Sequence, residues 1–144
     1  MTRPPIRLLV AQINPTIGDF DKNLKKILQS IEKGQQQGVD LVLFPELCIT
    51  GYPPQDFLLH PDFVAQADAC LQKIIQAAVD ISVIVGLPRK NLEKGEKSLY
   101  NSAAVISRQT LLGFQDKILL PTYDVFDERR YFEPGGAIRL WPIA

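Results

Sequence analysis

The chain has 144 residues, 16 Lys plus Arg against 16 Asp plus Glu, and a formal net charge of zero, which suits one domain of ordinary size and gives no electrostatic reason for nucleic acid or an anionic membrane as partner. Hydrophobic residues make up 46% and charged residues 22%, a globular composition, and no apolar run approaches the ~20 residues that cross a bilayer. Two cysteines are too few for a disulfide scaffold, and the N-terminal run ends in Gln12-Ile13-Asn14-Pro15 without a small-residue cleavage site, so a cytoplasmic, reducing location is expected.

Residues 6–13 (IRLLVAQI) read as a strand. Phe20, Leu24, Ile27, Leu28 and Ile31 recur at helical spacing and predict an amphipathic helix over residues 21–37, with Gly38 suited to its end. Residues 41–45 form a continuous apolar run of strand length, expected of a parallel strand covered on both faces. Phe63, Ala67, Cys70, Leu71, Ile74, Ile75 and Ala78 mark a second helix, and residues 81–87 (ISVIVGL) a third buried strand. Alternating strands and helices predict a parallel α/β sheet with right-handed crossovers. Residues 90–98 (KNLEKGEKS) are a polar loop; residues 100–107 and 110–120 predict a hairpin turning at Arg108-Gln109. Residues 121–136 (PTYDVFDERRYFEPGG) lack periodicity and predict an irregular segment, after which residues 138–141 begin another strand.

Three polar residues stand out. Glu46 sits at the carboxyl end of a predicted parallel strand, where open α/β sheets bind ligands; the alternative is a carboxylate that caps the loop or pairs with an arginine. Lys117 lies late in the hairpin among Phe114, Ile118 and Leu119. Burying it requires a partner, and the alternative is a snorkelling surface lysine. Glu128, in FDERRYF, is open to a plain salt bridge with Arg129 or Arg130. Cys70 falls in the apolar stripe of a helix and is expected in the core. His60, before Pro61, is expected at the surface, and one histidine without a partnering cluster predicts no metal site.

Taken together, LLVAQINPTIGDFDKNL, GVDLVLFPELCITGYPPQDFLL, VIVGLPRK, LYNSAAVI and GFQDKILLPTYDVFDERRYFEPG resemble the nitrilase superfamily of carbon–nitrogen hydrolases. The Pro-Pro pair after Gly51-Tyr52 and the YDVFDERRYF run resemble its glutamine-dependent NAD synthetase branch. The resemblance spans residues 1–144, as the N-terminal portion of a glutamine amidotransferase domain, and implies an α-β-β-α sandwich of which this is the first part. It implies hydrolysis of the L-glutamine amide, with ammonia passed to an ATP- and Mg²⁺-using synthetase domain that amidates deamido-NAD to NAD. No cofactor is expected in this chain itself, the synthetase domain is the expected partner, and the parent is expected to be a homo-oligomer.

By the same resemblance Glu46 is the general base, Lys117 the oxyanion group and Glu128 a second glutamate that orients site and substrate. Tyr123 contacts the glutamine, and Tyr52 lines the pocket. Each role has a physical reason. A thiol needs a base to become thiolate, and desolvation against an apolar wall raises a carboxylate's pKa toward working pH. A fixed cation at a developing oxyanion contributes on the order of 3 kcal/mol. The resemblance places the nucleophilic cysteine beyond residue 144, so the isolated chain is expected to be inactive. Cys48, two residues from Glu46, is the other candidate nucleophile. Two alternatives stay open: another carbon–nitrogen hydrolase such as an omega-amidase or aliphatic amidase, and a non-catalytic binding or assembly module.

Overall fold

The computed structural model describes residues 5–143; residues 1–4, part of the run weighed as a leader, and residue 144 lie outside it. In chain order the elements are β1 (Leu8–Val10), α1 (Phe20–Gln36), β2 (Leu41–Leu43), α2 (Pro61–Ala77), β3 (Ser82–Lys90), β4 (Leu99–Ser107) and β5 (Thr110–Asp116). Short 3-10 helices span Gln55–Leu59 and Glu128–Arg130. The sheet order follows the chain, β1-β2-β3-β4-β5. β1, β2 and β3 pair in parallel, whereas β4 is antiparallel to both β3 and β5. The carboxyl ends of β1, β2, β3 and β5 therefore lie along one edge, where β4 begins.

Asp19 caps α1 by accepting a hydrogen bond from the Lys22 N–H at 3.2 Å, offsetting one unpaired donor of the first turn. The apolar stripe of α1, with Leu24, Ile27 and Ile31, is buried. Gly34 lets α1 approach the sheet closely, since a Cβ there would lie 2.7 Å from Val42 Cγ2. α2 begins with Pro61 in its first turn, where a missing N–H costs nothing. The helices pack on each other, with the Phe20 and Phe63 rings edge to face at 5.0 Å. Beneath them Val42, Val83, Val85, Leu87 and Ile106 are fully buried, each contributing about 1.5–3 kcal/mol.

This is one helix layer on one sheet, the α/β half-sandwich expected; a second sheet is not among the described residues. At β1 and β2 the other face is apolar and open: Leu8 and Val10 are exposed, and their neighbours Leu41, Leu43 and Ile84 are half-buried. The run at residues 41–45 is thus covered on one face, correcting the two-sided burial expected of it. β1 is also shorter than residues 6–13, because hydrogen bonds from Gln12 N to Val10 O and from Ile13 N to Ala11 O turn the chain. β5 stops at Asp116, one residue before Lys117. Residues 138–141 form no strand; the Arg139 N–H donates to the Gln115 side chain instead of a backbone ladder.

Candidate active site

Glu46 follows β2 in a turn held from both sides. Phe44 N donates to Ile84 O and Ile49 N to Gly86 O, at 3.0 and 3.3 Å, so β3 carries the chain on both sides of the glutamate. Leu47 takes a φ of 47° in the turn, the left-handed region that an L-residue adopts at a cost. Gly86 is what admits this turn: a Cβ there would lie 2.4 Å from Leu47 N and 2.8 Å from Pro45 O. On the far side Gly51, at φ 81°, meets Ile17, with a Cβ position 2.6 Å from the Ile17 backbone. The backbone behind Glu46 is therefore set by main-chain packing.

Four elements converge on the glutamate. Lys117 Nζ lies 2.8 Å from Glu46 Oε1 and 3.0 Å from Glu128 Oε1, bridging two carboxylates 71 and 11 residues away in sequence. Glu128 reaches it from the 3-10 helix of the irregular segment and is buried. Tyr52 O–H donates to Glu128 Oε1 at 3.2 Å. Asn101, in β4, donates through Nδ2 to Glu46 Oε1 at 2.5 Å and to Glu128 Oε2 at 3.4 Å. Lys117 keeps its orientation because its N–H continues the ladder to Asn101 O at 2.8 Å, although it lies past the end of β5. The segment at residues 121–136 thus folds over the carboxyl ends of the strands.

Burial of Lys117 favours its neutral form, but hydrogen bonds and charge from Glu46 and Glu128 outweigh it, leaving the ammonium harder to deprotonate than a free lysine. It stays a cation at neutral pH. Burial first, and the Glu128 charge second, push the Tyr52 phenol up to about 12, so it remains a donor. Glu46 is 42% exposed in its side chain against 7% for Glu128. The hollow beside Glu46 has an apolar side in Phe44, Pro45, Ile84 and Ala103, while the carboxylate itself is held by donors.

Of the residues singled out in the sequence, Glu46, Lys117, Glu128 and Tyr52 come together. Tyr123 does not join them: it is 69% exposed and packs edge to face on Phe126, sharing with Lys117 and Arg129 a surface hollow of about 520 Å³. Glu128 pairs with Lys117 and not with the adjacent arginines; Arg130 reaches Asp56 at 3.3 Å. Cys48 Sγ points into the core, 3.8 Å from Gly86 O, and burial pushes its thiol up to about 12. Cys70 is buried and His60 exposed. Asn101 is the residue that periodicity missed. Its signal was a carboxamide inside a mostly apolar strand, in LYNSAAVI.

The cluster borders two hollows. One of about 300 Å³ is lined by Phe44, Glu46, Gly86, Asn101 and Lys117. The other, of about 290 Å³, lies along Tyr52, Phe126 and Glu128. A fixed cation beside a carboxylate with one free oxygen can stabilise an oxyanion while taking up a proton. Among the described residues no group of three or more His, Cys, Asp or Glu is placed to hold a metal ion, and no helix is long and apolar enough to cross a membrane.

The carbon-nitrogen hydrolase family model matches residues 7–144. A glutamine-dependent NAD(+) synthetase of Thermotoga maritima is 42% identical over 130 residues, covering 90% of this chain and 22% of the relative. Among solved structures, a glutamine-dependent NAD+ synthetase of Acinetobacter baumannii in complex with ADP superposes with a TM-score of 0.79 at 35% identity, over 92% of this chain and 24% of that one. The corresponding enzyme of Cytophaga hutchinsonii gives 0.84 at 29% identity, over 96% and 24%. The chain spans about a quarter of the length of these relatives.

Proposed function

The chain belongs to the carbon–nitrogen hydrolase family, and from that premise we propose that its Glu46–Lys117–Glu128 cluster is the base-and-oxyanion part of a glutamine-hydrolysing site. In a longer protein that site would deliver ammonia for the ATP-dependent amidation of deamido-NAD to NAD. The observation that carries this reading is the Lys117 ammonium, held at 2.8 and 3.0 Å between Glu46 and Glu128 at the strand ends. The identity to glutamine-dependent synthetases supports the substrate.

The chemistry balances on these groups. Glu46 takes the proton of an attacking thiol as the S–C bond forms, and the carbonyl π pair moves onto an oxygen beside Lys117. As the C–N bond breaks, the proton passes from Glu46 to nitrogen, which leaves as ammonia. Water then attacks the thioester, giving its proton to Glu46, and the sulfur leaves and recovers that proton. Glu128, buried and paired with Lys117, remains its partner while Glu46 is protonated. In this reading the thiol is neither Cys48 nor Cys70, because burial holds the first protonated and turned away and the second in the helix core. Tyr123, at the mouth of the hollow beside Lys117, contacts glutamine. The synthetase domain, its ATP and Mg²⁺, and association into homo-oligomers belong to the parent protein. The described residues offer no metal-binding cluster, and no step here passes through a metal.

Two measurements test this. In the complete polypeptide carrying this segment, Glu46→Gln abolishes NAD formation from glutamine, while synthesis from free ammonia continues; retained glutamine use overturns the reading. The purified 144-residue chain, folded and soluble, releases no ammonia from glutamine. Turnover that Cys48→Ser abolishes would make Cys48 the nucleophile.

A further inference from the structure

The two carboxylates of the cluster are held unequally. Glu128 is met on Oε1 by Lys117 and Tyr52 and on Oε2 by Asn101. Glu46 receives Lys117 at 2.8 Å and Asn101 at 2.5 Å on the same oxygen, Oε1, and no described residue donates to its Oε2. Asn101 is 3% exposed, and its place is fixed by backbone: it pairs with Pro88 in the β3–β4 ladder, and its carbonyl accepts the Lys117 N–H. A carboxamide nitrogen carries two hydrogens, and here one faces each glutamate.

We propose that Asn101 is the positioning residue of this site, clamping Glu46 by Oε1 so that Oε2 alone faces the reacting group and takes the proton. The inference rests on the reading of Glu46 as base. Its physical basis is the difference between the two donors on that oxygen. Lys117 must turn some of its hydrogen-bonding capacity to the oxyanion as charge develops there, which loosens its grip on Glu46. Asn101 carries no charge and cannot give up a proton, and its other amide hydrogen is turned to Glu128 and not to the reacting group, so it holds the carboxylate through that moment. A neutral donor also lowers a carboxylate's proton affinity less than a second cation would, leaving the base competent. The charged and polar groups gathered at Glu46 are Lys117 after β5, Glu128 on the 3-10 helix, Tyr52 on the turn behind it, and Asn101 on β4.

The test uses the complete polypeptide with three readouts: kcat and KM for glutamine, their pH profile, and synthesis from free ammonia as the control for folding. Asn101→Leu, close in shape and without a donor, lowers kcat 10- to 100-fold (on the order expected for a misplaced base) and leaves KM within about threefold. It also raises the acidic limb of the profile, because a hydrogen bond to the charged carboxylate is lost. Asn101→Asp, which places a third carboxylate against Glu46 and Glu128, lowers kcat further. If the leucine variant fails the ammonia control, Asn101→Ser is measured in its place with the same expectation. Full kcat with an unmoved acidic limb in a folded variant overturns the proposal, as does a loss confined to KM. Glu46→Gln in the same assay separates the two readings: if it keeps glutamine use, the base assignment fails; if it alone is inactive, only the role of Asn101 fails.

Discussion

Adjacent residues of β4 and at the end of β5 build two charge clusters of opposite character. Asn101 and Lys117 hold the cluster described above; their neighbours Ser102 and Asp116 hold another. There Arg89 on β3 makes a two-pronged contact with Asp116, at 2.8 and 3.2 Å, and Ser102 Oγ donates to Asp116 Oδ1 at 2.5 Å. The guanidinium lies over the rings of Tyr100 and Phe114, at 4.7 and 5.1 Å to their centroids. One cation meets one anion, both carboxylate oxygens are occupied, and the side chains are only 22% and 17% exposed. Around Lys117 two carboxylates share one cation, one of them is 42% exposed, and one of its oxygens has no donor among the described residues. A pair whose work is to fix strands is neutral and fully engaged. The cluster proposed to do chemistry leaves charge and a lone pair unspent.

Substitutions can break that contrast. The largest expected effect is Glu46→Gln in the complete polypeptide: a loss of glutamine turnover on the order of 10³-fold, with a melting change under about 1 kcal/mol because the pair is partly exposed. Asp116→Asn should do the reverse. It strips a charged partner from a guanidinium sealed between two rings, lowering denaturant stability by about 2 kcal/mol while turnover stays within a few-fold. A thousandfold rate loss without destabilisation would show that Asp116 also serves the site.

A finer contrast lies at alkaline pH. The Lys117 pKa is raised in the folded chain, so its contribution to stability is complete below about pH 10.5, the free-lysine value, and is lost as pH rises through the folded value. Lys117→Met should flatten that alkaline decline in a denaturation series; an unchanged decline would assign it to other groups. The smallest effect is Tyr52→Phe, under about 1 kcal/mol for one partly exposed hydrogen bond. Its signature is spectroscopic: in a phenolate titration the step near pH 12 disappears from the variant. Because the folded phenol holds its proton above the free value near 10, the stability it supplies is present below that pH and is lost toward about 12.

Much of this was legible in the sequence where local rules decide. Helices α1 and α2 follow their apolar spacing, and the hairpin turns at Arg108-Gln109, both at positive φ (46° and 59°), as a two-residue turn between antiparallel strands requires. The convergence of Glu46, Lys117 and Glu128 was expected from resemblance and not from pattern. Asn101 escaped because hydrophobic periodicity treats a buried amide as a break in a strand, and its meaning depends on two glutamates 55 and 27 residues away. Tyr123, which the resemblance assigns to the substrate, stands at the surface beside Phe126 on the hollow it shares with Lys117, a position that depends on the irregular segment's own packing. The ends of β1 and β5, and the absence of a strand at residues 138–141, were set by which acceptor each N–H found, which composition does not encode.

The 71-residue separation between Glu46 and Lys117 also bears on how the chain acquires its site. Strands β3, β4 and β5 form a meander of neighbours, and such local pairings carry a small loop-closure cost. Seating β1 and β2 beside β3 must await two helical crossovers. Lys117 and Asn101 thus ride on the early meander, whereas Glu46 arrives with the later strand. The expected order is therefore hairpin first and ion pair second, and a folding series in which substitution at Gly86 delays the hairpin as much as the ion pair would overturn it.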